Sequence, residues 1–219
     1  MLDCTDLSQT WTRTRLIAIQ TTANPRLQPA MIALTGYSRT GKSTVANVLK
    51  NNWGYVELSM GSIIKQQLDD LTLQHLGFSA FTETDSEKQQ IRHLLEHWGD
   101  VNYTNILDEF FNEVRHHAFQ NNTSVVNSRL CRLQEARSWR DMGGIVVEIT
   151  RPHWNAATPW EEEVMLKLRT AGLVDFEIAN DGTESNLERD IDLMMTHLNL
   201  YQTEHVEAAT RMAAQVWAA

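Results

Sequence analysis

Cysteine is nearly absent: Cys4 and Cys131 are the two in 219 residues. That number excludes a disulfide framework or a zinc cage and leads us to expect a reducing, cytoplasmic setting. Long hydrophobic runs are missing as well, so no segment is expected to span a bilayer. Residues 1–30 lack the features of a secretion signal, because Asp3 and Asp6 replace the basic start and no apolar core follows. Excess positive charge is the third absence. A formal net charge of −9 argues against sequence-blind binding along duplex nucleic acid. It still allows a small basic pocket, since holding phosphate takes only a few Arg and Lys side chains. What is present suits one α/β domain with insertions or a small lid: apolar content is 42%, with no internal repeat and no low-complexity block.

The most informative stretch is Gly36-Tyr37-Ser38-Arg39-Thr40-Gly41-Lys42-Ser43, which fits G-x-x-x-x-G-K-[ST]. Ahead of it, Met31-Ile32-Ala33-Leu34 is a short apolar run of buried-strand type. Behind it, Val45, Val48 and Leu49 fall on one helical face. Strand, glycine loop and helix together form a cradle in which backbone N–H groups and a helix N-terminus face phosphate. In that reading Gly36, Ser38, Arg39, Thr40, Gly41 and Thr44 surround the phosphates. Lys42 reaches the β/γ-phosphates, and the Ser43 hydroxyl is the Mg²⁺ ligand.

The rest of the chain alternates strand and helix. Strands are expected at about 55–58, 124–127, 145–149 and 175–179. Helices are expected at 60–76, 86–98, 102–119, 130–142 (with Cys131 on it), after Glu163 to Arg169, from the Asn180-Asp181-Gly182 turn through Leu200, and at 203–217. The stripe Leu187, Ile191, Met194, Met195 and Leu198 reads as core. The C-terminal face with Val206, Ala209, Met212, Ala213 and Val216 packs on the domain or on a second copy, which leaves a homodimer open. Residues 1–30 read as an extension of a domain spanning 31–219. Such alternation implies a parallel sheet covered on both faces, with ligands at the carboxyl ends of its strands. That rule lines up Gly36–Ser43, Ser59, Arg129, Arg151 and Asn180 on one rim.

Four further segments resemble the bacteriophage deoxynucleoside monophosphate kinases, relatives of the wider P-loop nucleotide kinases. Asn127-Ser128-Arg129-Leu130, Glu135-Ala136 and Gly143-Gly144 through Arg151-Pro152 are similar to that family's D-V-R-F, N-E-A and G-G-x-V-x-x-V-x-R-P succession. Asp175 to Gly182 resembles its D-x-x-I-x-N-D-G segment, and Arg92 to Gly99 its R-x-L-L-Q-x-x-G helix. With the glycine loop, the resemblance covers most of residues 31–200. It implies a three-layer α/β P-loop kinase fold with acceptor-binding helices at about 60–119 and a lid at about 151–170. It further implies ATP with Mg²⁺ as donor and a nucleotide as acceptor. Lys65 and Arg92 would then bind the acceptor's phosphate, Arg129 would flank the transferring group, and Arg151 would belong to the lid. Asn180 and Asp181 would lie near the donor's adenine. Ser59, Trp98, Trp154 and Glu162 complete the expected acceptor contacts, with Glu161 and Glu163 read as part of a helix N-terminal charge cluster.

One position departs from the pattern. Asn127 stands where the family-like strand ends in Asp, and an amide cannot accept a proton. A monophosphate acceptor needs no base, whereas a hydroxyl acceptor does. Asp100, where the family more often has Thr, and Glu57 are the candidate bases for that case. It corresponds to phage kinases that phosphorylate a hydroxymethylated pyrimidine (5-hydroxymethyluracil) in DNA, with a flipped or single-stranded base entering a basic cleft. A nucleotide-binding regulator with weak catalysis is a further alternative. His93-Leu94-Leu95-Glu96-His97 also fits the inverted zinc-peptidase pattern H-x-x-E-H, but no third ligand stands out downstream.

Overall fold

The strand Met31–Thr35 (β1) is buried along its whole length, yet its side chains enter two different cores. Met31 and Ala33 join one and Ile32 and Leu34 the other, as the two-residue period of a strand requires. The computed structural model describes residues 31–198. It also contains Val56–Leu58 (β2), Val125–Asn127 (β3), Ile145–Thr150 (β4) and Phe176–Ala179 (β5). All pair in parallel, in the order β2-β3-β1-β4-β5. Every strand therefore ends on the same edge of the sheet.

On one face Lys42–Trp53 (α1) and a helix over residues 184–198 (α7) cover the sheet through Val45, Val48, Leu49 and the expected stripe Leu187, Ile191, Met194, Met195 and Leu198. On the other face lie Met60–Leu76 (α2), Asp85–Val101 (α3), Tyr103–Arg115 (α4), Leu133–Asp141 (α5) and Pro159–Thr170 (α6). Phe110, Phe111 and Trp139 form the aromatic centre of that second core. The result is the expected three-layer α/β sandwich. The last expected helix and residues 1–30 lie outside the described residues. Among those described, no helix is long and apolar enough to cross a membrane.

Several boundaries differ from the sequence reading. The helix expected from Leu130 begins at Leu133, because the Leu130 amide donates to the Leu34 carbonyl at 2.9 Å and ties the chain to β1 instead. Cys131 therefore sits in a loop and not on a helix. The helix expected only after Glu163 starts at Pro159, where Thr158 caps it and proline suits the first turn. The third helical region ends its α-helical part at Arg115 and finishes as a π-helical turn, His116–Gln120.

Candidate active site

Five loops follow the five strands onto one edge, and the first is the glycine loop. Gly36 has φ of +128°, and a Cβ there would meet the Ile149 carbonyl oxygen at 2.3 Å. Gly41 has φ of +107°, and its Cβ would meet the Asn180 side-chain nitrogen at 2.5 Å. Both positions require glycine by backbone conformation, and Gly36 also by space, because the atom its Cβ would meet is backbone. Arg39 also adopts a positive φ, 64°. The loop delivers the chain into α1, whose first residues are Lys42 and Ser43. Thr40 is buried and hydrogen-bonds to the Tyr37 carbonyl, while Ser43 is exposed and Thr44 half-buried.

Lys42 is half-buried and donates to the carbonyls of Gly36 (2.9 Å) and Tyr37 (2.7 Å). Burial lowers its pKa below the usual lysine range; the Glu161 charge opposes that shift and the Arg129 charge adds to it. A cavity of about 40 Å³ adjoins it, lined by Gly36, Ser38, Arg129, Cys131, Trp160 and Glu161 among others. Burial and the Glu135 charge push the Cys131 thiol up to about 11, so it is a neutral wall of that cavity.

A larger cavity of about 580 Å³ opens beside it. Arg39, Lys65, Lys88, Arg92 and Arg129 line it against two carboxylates, Asp85 and Glu96, with Ala80, Ile91 and Leu95 as apolar walls. Lys65 lies over the Phe81 ring at 5.6 Å, Lys88 pairs with Glu83 at 2.7 Å and Arg92 with Glu96 at 3.2 Å. Arg129 is common to both cavities.

The remaining expected site residues take other positions. Asn180 donates its amide to the Thr40 carbonyl at 2.9 Å, bracing the glycine loop from β5. Asp181 follows it, exposed at the same edge. Ser59 caps α2, accepting from the Ser62 amide at 3.1 Å. Trp98 donates to Gln67 at 2.9 Å and packs against the aromatic core. Asp100 is ion-paired with Arg132 at 2.6 Å, and Glu57 with Lys50 at 2.8 Å. Glu162 is exposed on the first turn of α6. Trp154 donates to the Ser38 carbonyl at 2.8 Å, and the Arg151 guanidinium sits 5.2 Å from its ring centroid.

Two contributors went unnoticed as site residues in the sequence. Glu161 accepts from the Ser38 hydroxyl and, at 2.8 Å, from the Ala157 amide. Its signal was the spacing Thr158-x-x-Glu161, that of a capping box. Lys88 shares the cavity with Arg92, and the four-residue interval on one helix was its signal. The H-x-x-E-H stretch holds an exposed His93 at 3.7 Å from Glu96. Among the described residues, no three His, Cys, Asp or Glu side chains are grouped to hold a metal ion.

These residues fit a phosphate chain: Gly36 of the glycine loop and Lys42, the first residue of α1, line one small cavity. Magnesium suits this end of α1, since it is commonly held by phosphate and water oxygens with one or two protein oxygens, and Ser43 is exposed on the first turn of the helix.

No protein-family model and no curated protein sequence matches this chain. Solved structures do. The dephospho-CoA kinase from Campylobacter jejuni is 16% identical, with 77% of this chain and 97% of that one covered at a TM-score of 0.51. A shikimate kinase from Aquifex aeolicus is also 16% identical, over 78% and 98% of the two chains, with a TM-score of 0.46. The order of the parallel strands, the glycine loop after β1 and the likeness to the first of these structures give the chain the fold of the P-loop kinases.

Proposed function

We propose that this chain is an ATP-dependent phosphotransferase whose acceptor is a deoxynucleoside monophosphate, converting dNMP and ATP to dNDP and ADP. One observation carries the reading: Arg129 lines both the small cavity at Lys42 and the larger cation-rich one. A group shared by two cavities stands where a phosphoryl group would pass between two bound molecules. Five cations against two carboxylates favour an acceptor that brings its own negative charge.

Phosphoryl transfer needs in-line positioning and positive charge on the equatorial oxygens, with little covalent help from protein. Magnesium ATP supplies the activated phosphoryl group; Gly36–Thr44 and the Ser43 hydroxyl are the residues to hold it. Lys42 would exchange its two loop carbonyls for phosphate oxygens. Arg92 and Lys65 would orient the acceptor phosphate, and Arg129 would stabilise charge at the transfer point. Arg151 and Trp154, the latter bonded to the Ser38 carbonyl, would form the lid segment that closes over the loop and excludes water. Asp100, held by Arg132, is not needed as a base when the acceptor is a monophosphate, because the attacking oxygen is already ionised.

The test is a panel of acceptors with γ-labelled ATP: each dNMP, each NMP, and DNA with thymine or with 5-hydroxymethyluracil. Label in a deoxynucleoside diphosphate is the expected result. Label in 5-hydroxymethyluracil DNA and in no monophosphate would replace this reading with the DNA-modifying one. Tight ATP binding without transfer to any acceptor would point to a regulator.

A further inference from the structure

The loop that carries Arg129 is held by two buried side chains that touch neither cavity. Asn127 ends β3 and Glu135 lies in the first turn of α5; both are fully buried. The Asn127 amide nitrogen donates to one Glu135 oxygen at 2.8 Å. The Asn127 carbonyl oxygen accepts from the Arg129 amide at 3.0 Å, and the second Glu135 oxygen accepts from the Cys131 amide at 3.0 Å. The Leu130 amide between them is bound to β1. Three successive backbone amides are therefore fixed, two of them by this pair.

An isolated buried carboxylate is costly and persists only when donors surround it. Burial raises the Glu135 pKa, while the Cys131 amide, the Asn127 amide and Arg132 oppose the rise. The groups facing it are Arg132 and Cys131 of the loop and Tyr103 of α4. An aspartate in place of Asn127 would set a second carboxylate at hydrogen-bond distance, and two such groups cannot both ionise without strong repulsion. The amide at Asn127 removes that conflict, because it offers Glu135 a permanent donor.

We infer that Asn127 and Glu135 are positioning residues for phosphoryl transfer, a donor–acceptor pair that fixes the backbone from which Arg129 reaches the junction of the two cavities. The inference rests on the phosphotransferase reading for its purpose, but the pairing itself can be tested without it. Asn127→Asp opposes two carboxylates. Glu135→Gln opposes two amide nitrogens or strands the Cys131 amide. The double variant exchanges the roles: the carboxylate introduced by Asn127→Asp accepts from the Arg129 amide and from the new side-chain amide, whose own oxygen accepts from Cys131. Side-chain volume is nearly unchanged throughout.

Two readouts are taken on all four proteins: hydrogen exchange of the 128–132 amides, and kcat with KM for ATP and for the acceptor found by the panel. Each single variant is expected to lose exchange protection in this loop. Each is also expected to lose kcat by on the order of tenfold to a hundredfold, the scale of a small misplacement of a reacting group, with KM for ATP nearly constant. The double variant is expected to regain most of both. Asn127→Asp is further expected to work best at low pH, where the two carboxyls share a proton, and to lose kcat and protection together as that proton leaves. Singles that behave as wild type, or a double variant that folds and is no better than the singles, would overturn the inference. Should the double variant not fold, the pH dependence of Asn127→Asp decides: a profile parallel to wild type would overturn it. A wild-type protein that transfers to no acceptor would sink the proposed function, and the exchange data alone would then still decide whether the pair holds the loop.

Discussion

Around the glycine loop the groups are held by the fold itself: Lys42 donates to two carbonyls of its own loop, Asn180 braces Thr40, and Gly36 leaves no room for a Cβ. In the larger cavity the cations are held loosely. Arg92 leaves 73% of its side chain exposed and pairs with Glu96 four residues along the same helix. An exposed pair of that kind contributes little to stability, so the arginine is available to an incoming anion at small cost. The contrast separates two tasks. On the proposed reading the glycine loop is the preorganised donor side that tolerates little change, and the larger cavity is a basic acceptor funnel that tunes affinity and selectivity. Arg129 belongs to both.

Substitutions on the two sides are expected to fail differently. Lys42→Ala has the largest expected effect: kcat falls by on the order of a hundredfold to a thousandfold, comparable to losing one preorganised electrostatic donor. Wild-type turnover in that variant would remove the glycine loop from the mechanism. Arg92→Ala is expected to raise KM for the acceptor about tenfold, the scale of one charge-assisted hydrogen bond, with KM for ATP unchanged. Equal effects on both substrates would erase the distinction between the cavities.

The smallest effect concerns the contact between α6 and the loop. Burial alone would lift the Glu161 carboxyl, but the Ser38 hydroxyl, the Ala157 amide and the Lys42 charge hold it below its ordinary value of 4.5. A carboxylate depressed in the folded state stabilises above its unfolded pKa and loses that contribution as pH falls through the folded one. Thermal melts from about pH 6 to about pH 3 should therefore cost the wild type slightly more Tm than Glu161→Gln. Parallel curves for the two proteins would mean that the contact contributes nothing.

Much of the fold could be read from the chain because its signals are local. The glycine loop, the glycine after Leu76 and the apolar strands each announce themselves within a few residues. At α5 the reading failed because a distant partner had intervened. The helix expected from Leu130 starts late because β1 captures the Leu130 amide, and nothing near Leu130 in sequence reveals that. The site was legible in the same measure. Arg39, Lys65, Arg92 and Arg129 do converge on one cavity. Asn180, expected beside the adenine, braces the loop, and Trp154 contacts Ser38, because both depend on how β4 and β5 place their loops against β1. Glu161 was read as part of a helix N-terminal charge cluster, but its reach to Ser38 spans 123 positions and is a product of tertiary packing.

The shared position of Arg129 is tested most directly by measuring three quantities on Arg129→Ala: ATP affinity, acceptor affinity and the rate of γ-phosphoryl transfer in a single turnover. Both ligands are expected to bind within a few-fold of wild type while transfer slows by at least about a hundredfold. Transfer at the wild-type rate with both ligands bound would contradict a mechanism in which the two cavities meet at this arginine.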